Sequence, residues 1–144
     1  MITFDLNIHV HHPINQVFDF VASPTNNQRW QYGTLDSTTL PPVSSGAGSF
    51  FQTIGHFMGR RTSGTFEVTD YEPNKKYGFR SISGPLVTKT LFHFAMDGLF
   101  TRIVVHTAVE SKDYFHVSEQ TTARKMKKQF KENLEALKKV LEAK

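Results

Sequence analysis

The chain has 144 residues, with thirteen phenylalanines against one tryptophan and four tyrosines, no cysteine, and a formal net charge of +4. This length suits one domain with a core of its own, and the lack of cysteine excludes disulfides and thiolate metal centres. The positive excess sits near the C-terminus beside glutamates, which fits a solvated helix face better than a nucleic-acid footprint.

The opening MITFDLNIHV lacks the basic-then-apolar pattern of a secretory leader, and no apolar run approaches about 18 residues. A cytoplasmic protein without integral membrane association is therefore expected. Residues 3–10 alternate, with Phe4, Leu6, Ile8 and Val10 against Asp5, Asn7 and His9, which predicts a half-buried strand. His12-Pro13 closes that strand, and Pro13 suits the first turn of a helix. Ile14, Val17, Phe18 and Val21 then fall at helical spacing, and a second short helix fits residues 25–30. Residues 33–48 read as a polar strand or loop, where Pro41-Pro42 bars a central place in a sheet.

Five strand-like runs follow at residues 49–58, 64–71, 76–83, 87–96 and 100–110. The turn signals between them are Gly59-Arg60-Arg61, Glu72-Pro73-Asn74-Lys75, Ser83-Gly84-Pro85 and Asp97-Gly98. Centring the last hairpin on Asp97-Gly98 sets Phe94 opposite Thr101, Phe92 opposite Ile103 and His93 opposite Arg102. Centring an earlier one on Pro73-Asn74 sets Val68 opposite Phe79. The faces so assigned agree across all the turns. Phe51, Thr53, Phe57, Phe66, Val68, Tyr77, Phe79, Ser81, Thr90, Phe92, Phe94, Ile103, Val105, Thr107 and Val109 point inward. Glu67, Arg80, Lys89, His93, Arg102, His106 and Glu110 point outward. Small polar residues among the inward set favour a partly hydrated cavity over a dry core.

Residues 117–143 predict one long helix with no Gly or Pro to interrupt it. Met126, Phe130, Leu134, Leu137 and Leu141 form a single apolar stripe, and lysines and glutamates occupy the other side. The sheet must cover that stripe.

Several stretches carry a family resemblance. They are IHVHHPINQVFDFVASPTNNQRW, Gly46-x-Gly48 with Phe51, Gly59-Arg60-Arg61, and the run Val68-Thr69-Asp70-Tyr71-Glu72-Pro73-Asn74. Gly78-Phe79-Arg80-Ser81 through Gly84-Pro85, Phe92-x-Phe94 and Gly98-x-x-Thr101-Arg102 complete the set. Together they resemble the START-like (SRPBCC) superfamily, which includes the birch-pollen allergen. The nearest branch looks like the bacterial polyketide cyclase/dehydrase and lipid-transport group. The resemblance implies an α+β helix-grip fold, a single START-like domain over residues 1–144. A seven-stranded curved antiparallel sheet would wrap the long C-terminal helix, with two short helices after the first strand. It also implies that the helix grips the sheet through its C-terminal half, which puts a cavity beneath residues 119–130.

The expected ligand-binding residues are Trp30, Phe51, Thr53, Phe57, Phe66, Tyr77, Phe79, Ser81, Thr90, Phe92, Phe94, Met126 and Phe130. No catalytic residue is assigned, since no nucleophile or His–carboxylate motif is present and Asp70, with inward parity beside Tyr77, is the one carboxylate near the interior. The histidines read as surface groups. His56 faces away from Phe57, and His93 and His106 are spaced about 13 Å apart at about 3.3 Å per residue, so no metal and no cofactor is expected. Arg60-Arg61 sits at a hairpin tip as a solubilising turn or an anion contact. A module binding or transporting a small hydrophobic ligand (lipid, polyketide-like or aromatic) is the leading expectation, with no nucleic-acid partner. A polyketide cyclase/aromatase-like enzyme and an interaction protein with a vestigial pocket are the alternatives. Monomer and homodimer both stay open, since fold does not dictate function.

Overall fold

A computed structural model describes residues 1–42, 45–111 and 116–143. The elements run β1 (Ile2–Val10), α1 (Ile14–Val21), a 3-10 helix (Pro24–Arg29), β2 (Thr34–Leu40), β3 (Phe50–Phe57), β4 (Arg60–Glu72), β5 (Lys76–Ser83), β6 (Leu86–Asp97), β7 (Phe100–Ser111) and α2 (Glu119–Glu142). The strands form one open, curved seven-stranded sheet in the order β1-β7-β6-β5-β4-β3-β2. Every pairing is antiparallel. After β1 the chain crosses through α1 and the 3-10 helix to the far edge, then returns as a meander. Pro41-Pro42 follow β2, and β2 is an edge strand, where an absent N–H leaves no ladder bond unmade.

The long helix starts at Ser118, whose hydroxyl accepts from the Thr121 amide at 3.1 Å, with Glu119 in the first turn, where a carboxylate complements the helix dipole. Met126, Leu134, Leu137 and Leu141 are buried and Phe130 is partly so. The sequence stripe therefore faces the sheet. α1 plugs one end of the concave face, where Phe18 meets Phe94 at 5.2 Å and Tyr71 at 5.4 Å between ring centroids, both edge to face. Among the described residues no helix is long and apolar enough to cross a membrane.

Two turns and one strand differ from expectation, each for a backbone reason. The β3–β4 loop is Met58-Gly59, with φ of 52° and 78°, the two positive values a type I′ hairpin turn needs. Arg60 and Arg61 are thereby strand residues, paired with Phe57 and His56. The β6–β7 loop is Gly98-Leu99, not Asp97-Gly98, since Asp97 pairs with Phe100. Glycine takes the first loop position there at φ 64°, as a type II′ turn requires. The register moves by two residues, so Phe94 faces Ile103 and Phe92 faces Val105. An even shift preserves every face assignment.

That shift brings His93 and His106 together, against the expected separation of about 13 Å. His93 pairs with Val104 and His106 with Leu91, which makes the two histidines diagonal neighbours with ring centroids 5.3 Å apart. Asp5 Oδ1 lies 2.6 Å from His106 Nδ1. No group of three or more His, Cys, Asp or Glu side chains among the described residues is arranged to hold a metal ion.

The third departure is in β4. Val68 faces Phe79 as expected, but a bulge follows and Asp70 pairs with Gly78. The extra residue turns Asp70 to the convex face, where a Cβ on Gly78 would meet Asp70 Oδ2 at 2.8 Å and Leu91 Cδ1 at 2.9 Å. Asp70 is therefore not the inward carboxylate that parity suggested. Tyr71 takes the inward place, with its ring 6.4 Å from that of Tyr77.

Two outcomes follow from this packing. Leu134→Ala or Leu137→Ala should lower stability by about 2–5 kcal/mol in denaturant unfolding, and losses below about 0.5 kcal/mol at both sites would disprove the helix's role. His93 is held below its ordinary pKa by burial first, then by His106 and Lys76, against an opposing pull from Asp70. The unfolded chain then takes up the proton more readily. The stability due to neutral His93 is complete above about pH 6.5 and is lost as the pH falls below it. Wild type should lose more stability than His93→Gln on acidification through that window, and identical pH profiles would refute the reading.

Candidate functional site

Between the sheet and α2 lies a cavity with about 180 Å³ open to the centres of water-sized molecules. Its floor is a run of rings. Phe66 stacks on Phe51 with centroids 5.2 Å apart, and Phe79 meets Phe51 edge-on at 5.3 Å. Phe92 lies 6.4 Å from Phe79, and Trp30 stands edge-on to Phe92 at 6.4 Å. These residues come from four neighbouring strands and the C-cap of the 3-10 helix, because alternate strand positions share a face. Such offset and edge-on contacts stabilise the floor beyond the area they bury.

The roof is Met126, Gln129, Phe130, Asn133 and Leu134 of α2. The cavity thus lies under residues 126–134, which overlaps the expected 119–130 only in its second half. The first turns of α2 are occupied instead, because Ala123 and Met126 pack with Phe4 and Val109 in a second apolar cluster.

The end wall holds Asn27, Trp30 and residues 31–34. It is tied to the roof by two amides four residues apart on α2. Asn133 Oδ1 accepts from the Tyr32 N–H at 2.8 Å, and Gln129 Nε2 donates to the Tyr32 carbonyl at 2.8 Å. The Asn27 amide donates to the Ser37 hydroxyl at 3.3 Å. Exposed lining residues Tyr32, Gly33, His56, Ser63, Ser83 and Gly84 mark the rim.

The expected ligand-binding residues all line this cavity except Tyr77, Ser81 and Phe94. Tyr77 is buried among Tyr71, Phe79 and Phe92. Burial, reinforced by Tyr71, pushes its ionisation upward, so it is neutral and no base. The Ser81 hydroxyl accepts from the Thr88 amide at 2.9 Å, standing in for a ladder bond where the β5–β6 pairing ends. Phe94 is covered by Phe18 of α1.

Gln129 and Asn133 escaped the sequence reading. Asn133 was visible as a polar residue three places after Phe130, inside the apolar stripe, but its partner on a loop 101 residues away was not. Among the described lining residues, the titratable side chains are Tyr32 and His56 at the rim. The interior can therefore hold and orient an apolar molecule, with Thr53, Thr62, Thr88 and Thr90 among its hydroxyl groups. The Trp30 indole N–H is buried without a hydrogen-bond partner among the described residues.

A family model described as polyketide cyclase/dehydrase and lipid transport matches residues 1–142. No curated protein matches the chain. Of solved structures, a START superfamily protein from Mycobacterium smegmatis is 12% identical, with a TM-score of 0.85 over 98% of this chain and 97% of that one. The Zhui aromatase/cyclase from Streptomyces sp. R1128 is 13% identical, with a TM-score of 0.84 over 98% and 93%. Ara h 8.0201 is 10% identical, with a TM-score of 0.76 over 99% of both chains. At such identities the likeness establishes the fold alone.

The end wall also depends on one close approach. A Cβ on Gly55 would lie 2.1 Å from the Gly33 carbonyl oxygen, in a place where the backbone of β3 meets the loop. Gly55→Ala should destabilise the protein by about 1–3 kcal/mol, whereas Ser63→Ala at the exposed rim should fall within about 0.5 kcal/mol of wild type. Equal melting of the two variants would show that residues 31–34 are not seated on β3.

Proposed function

The chain belongs to the polyketide cyclase/dehydrase and lipid transport family, and from that premise we propose that its cavity binds and carries a small hydrophobic ligand without chemically changing it. The observation that carries this reading is the ring floor from Phe66 to Trp30 facing open space beneath α2. A dry core would close over such rings. A cavity of roughly 150 Å³ lined by apolar side chains accepts one benzene, which makes a ring-containing or acyl molecule of modest size the fitting class. Trp30, Phe51, Phe66, Phe79 and Phe92 supply contact area, and the threonines supply a few hydroxyl groups for orientation.

A cyclase reading has less support here. It would need an acid–base pair beside the ligand, and the carboxylate nearest to that role, Asp70, faces the convex side over Gly78.

Affinity must come mainly from buried area. About 300 Å² of ligand at about 25 cal/mol per Å² is worth about 7.5 kcal/mol, from which ordering and docking losses subtract. Micromolar or weaker binding follows.

Because Trp30 is the only tryptophan, titration with a fluorescent fatty acid or a flavonoid-like probe should perturb its emission and leave the probe unaltered by mass. Phe79→Ala and Phe92→Ala should each weaken binding about tenfold, a loss of about 1.4 kcal/mol, while His93→Ala on the convex face should bind as wild type. A folded protein that binds no apolar probe would sink the proposal.

A further inference from the structure

Residues 124–131 of α2 carry Arg124, Lys125, Lys127, Lys128 and Lys131 with no carboxylate among them, and all five side chains are exposed. The segment spans roughly 10 Å of helix axis. Several of these cations stand three or four residues apart, a spacing at which like charges weaken a helix. None of the five meets a carboxylate among the described residues. Nearby Glu119 takes the N-terminal amine at 3.0 Å, and Glu142 takes Lys138 at 3.1 Å. Glu132 and Glu135 stand four residues beyond Lys128 and Lys131, yet among the described residues no ion pair forms with them, so most of this charge is left to solvent. The opposite side of the same segment is Met126, Gln129 and Phe130, part of the cavity roof.

We propose that the basic face of α2 docks on an anionic lipid bilayer, laying the roof of the cavity along the membrane surface. The biological sense of this docking rests on the apolar-ligand reading of the cavity, since the same short stretch of helix would touch both bilayer and cargo. Charge complementarity selects the occupant. An anionic leaflet attracts juxtaposed lysines without needing an apolar anchor. A stable protein interface needs a desolvated apolar or aromatic centre, which this face lacks. Single-stranded nucleic acid is held through aromatic stacking platforms, and the one aromatic residue of this segment, Phe130, faces the cavity on the opposite side of the helix.

The test is co-sedimentation of the whole chain with vesicles of phosphatidylcholine alone and of phosphatidylcholine mixed with phosphatidylglycerol. Binding should require phosphatidylglycerol and fall steeply from about 0.05 M to about 0.5 M salt. The combined change Lys125→Gln, Lys128→Gln and Lys131→Gln should weaken it about tenfold or more, while Lys139→Gln in the second half of the helix should not. Probe binding in the cavity is measured alongside. Vesicle binding without probe binding would condemn the cavity reading and leave the docking face standing. No binding to anionic vesicles, equal binding to neutral ones, or an unaffected triple variant would overturn the proposal. So would capture by an acidic protein or by single-stranded nucleic acid at the same salt with no vesicle binding.

Discussion

Leu134, Leu137 and Leu141 have to leave water, and only the concave face of the sheet can receive them. Each is almost fully buried, and burying such a side chain is worth about 1.5–3 kcal/mol. The sheet is wider than the stripe that docks on it. The apolar side chains of one helix cannot fill the space between α2 and seven curved strands. Where α1 adds Val17, Phe18 and Val21, the space closes. Where only α2 and the 3-10 helix reach, rings from β3 to β6 are left facing a void. The cavity is thus a consequence of having one long helix and one short one on a sheet of this span.

Polar groups at the cavity's edge are committed to structure before any ligand arrives. Asn133 and Gln129 hold Tyr32, Asn27 holds Ser37, and Ser81 takes the Thr88 amide. The Asn27–Ser37 bond is buried, and there the engagement removes a donor that would otherwise be left unpaired. What the interior still offers is mostly aromatic area, so selectivity must rest on shape more than on hydrogen bonding.

Much of the architecture was legible because its signals are local. The stripe from Met126 to Leu141, the alternation in β1 and the even-length turns each follow from neighbours in sequence. The same logic placed the ring floor, since a register error of two residues at Gly98-Leu99 leaves every face intact. Asp70 was misplaced because a bulge adds one residue and reverses parity, and nothing in Val68-Thr69-Asp70 marks it. The proximity of His93 and His106 was hidden by the same two-residue shift, which matters little for faces and greatly for distances along a ladder. Tyr77 and Phe94 have the right parity for the cavity and are excluded by what packs over them, Tyr71 and Phe18. Parity says which side of a sheet a residue occupies and cannot say how far the cover extends.

The two amides that hold Tyr32 give the helix a latch with two points. The two bonds engage the two ends of one residue, so a movement of α2 away from the end wall would release both together. The Tyr32 amide hydrogen is thereby a gauge of how firmly α2 sits on the end wall. Its exchange with solvent is slowed while Asn133 accepts it and would be freed by any loss of that bond. The seating of α2 on the end wall is written on a single backbone proton, two residues from Trp30 at the end of the ring floor.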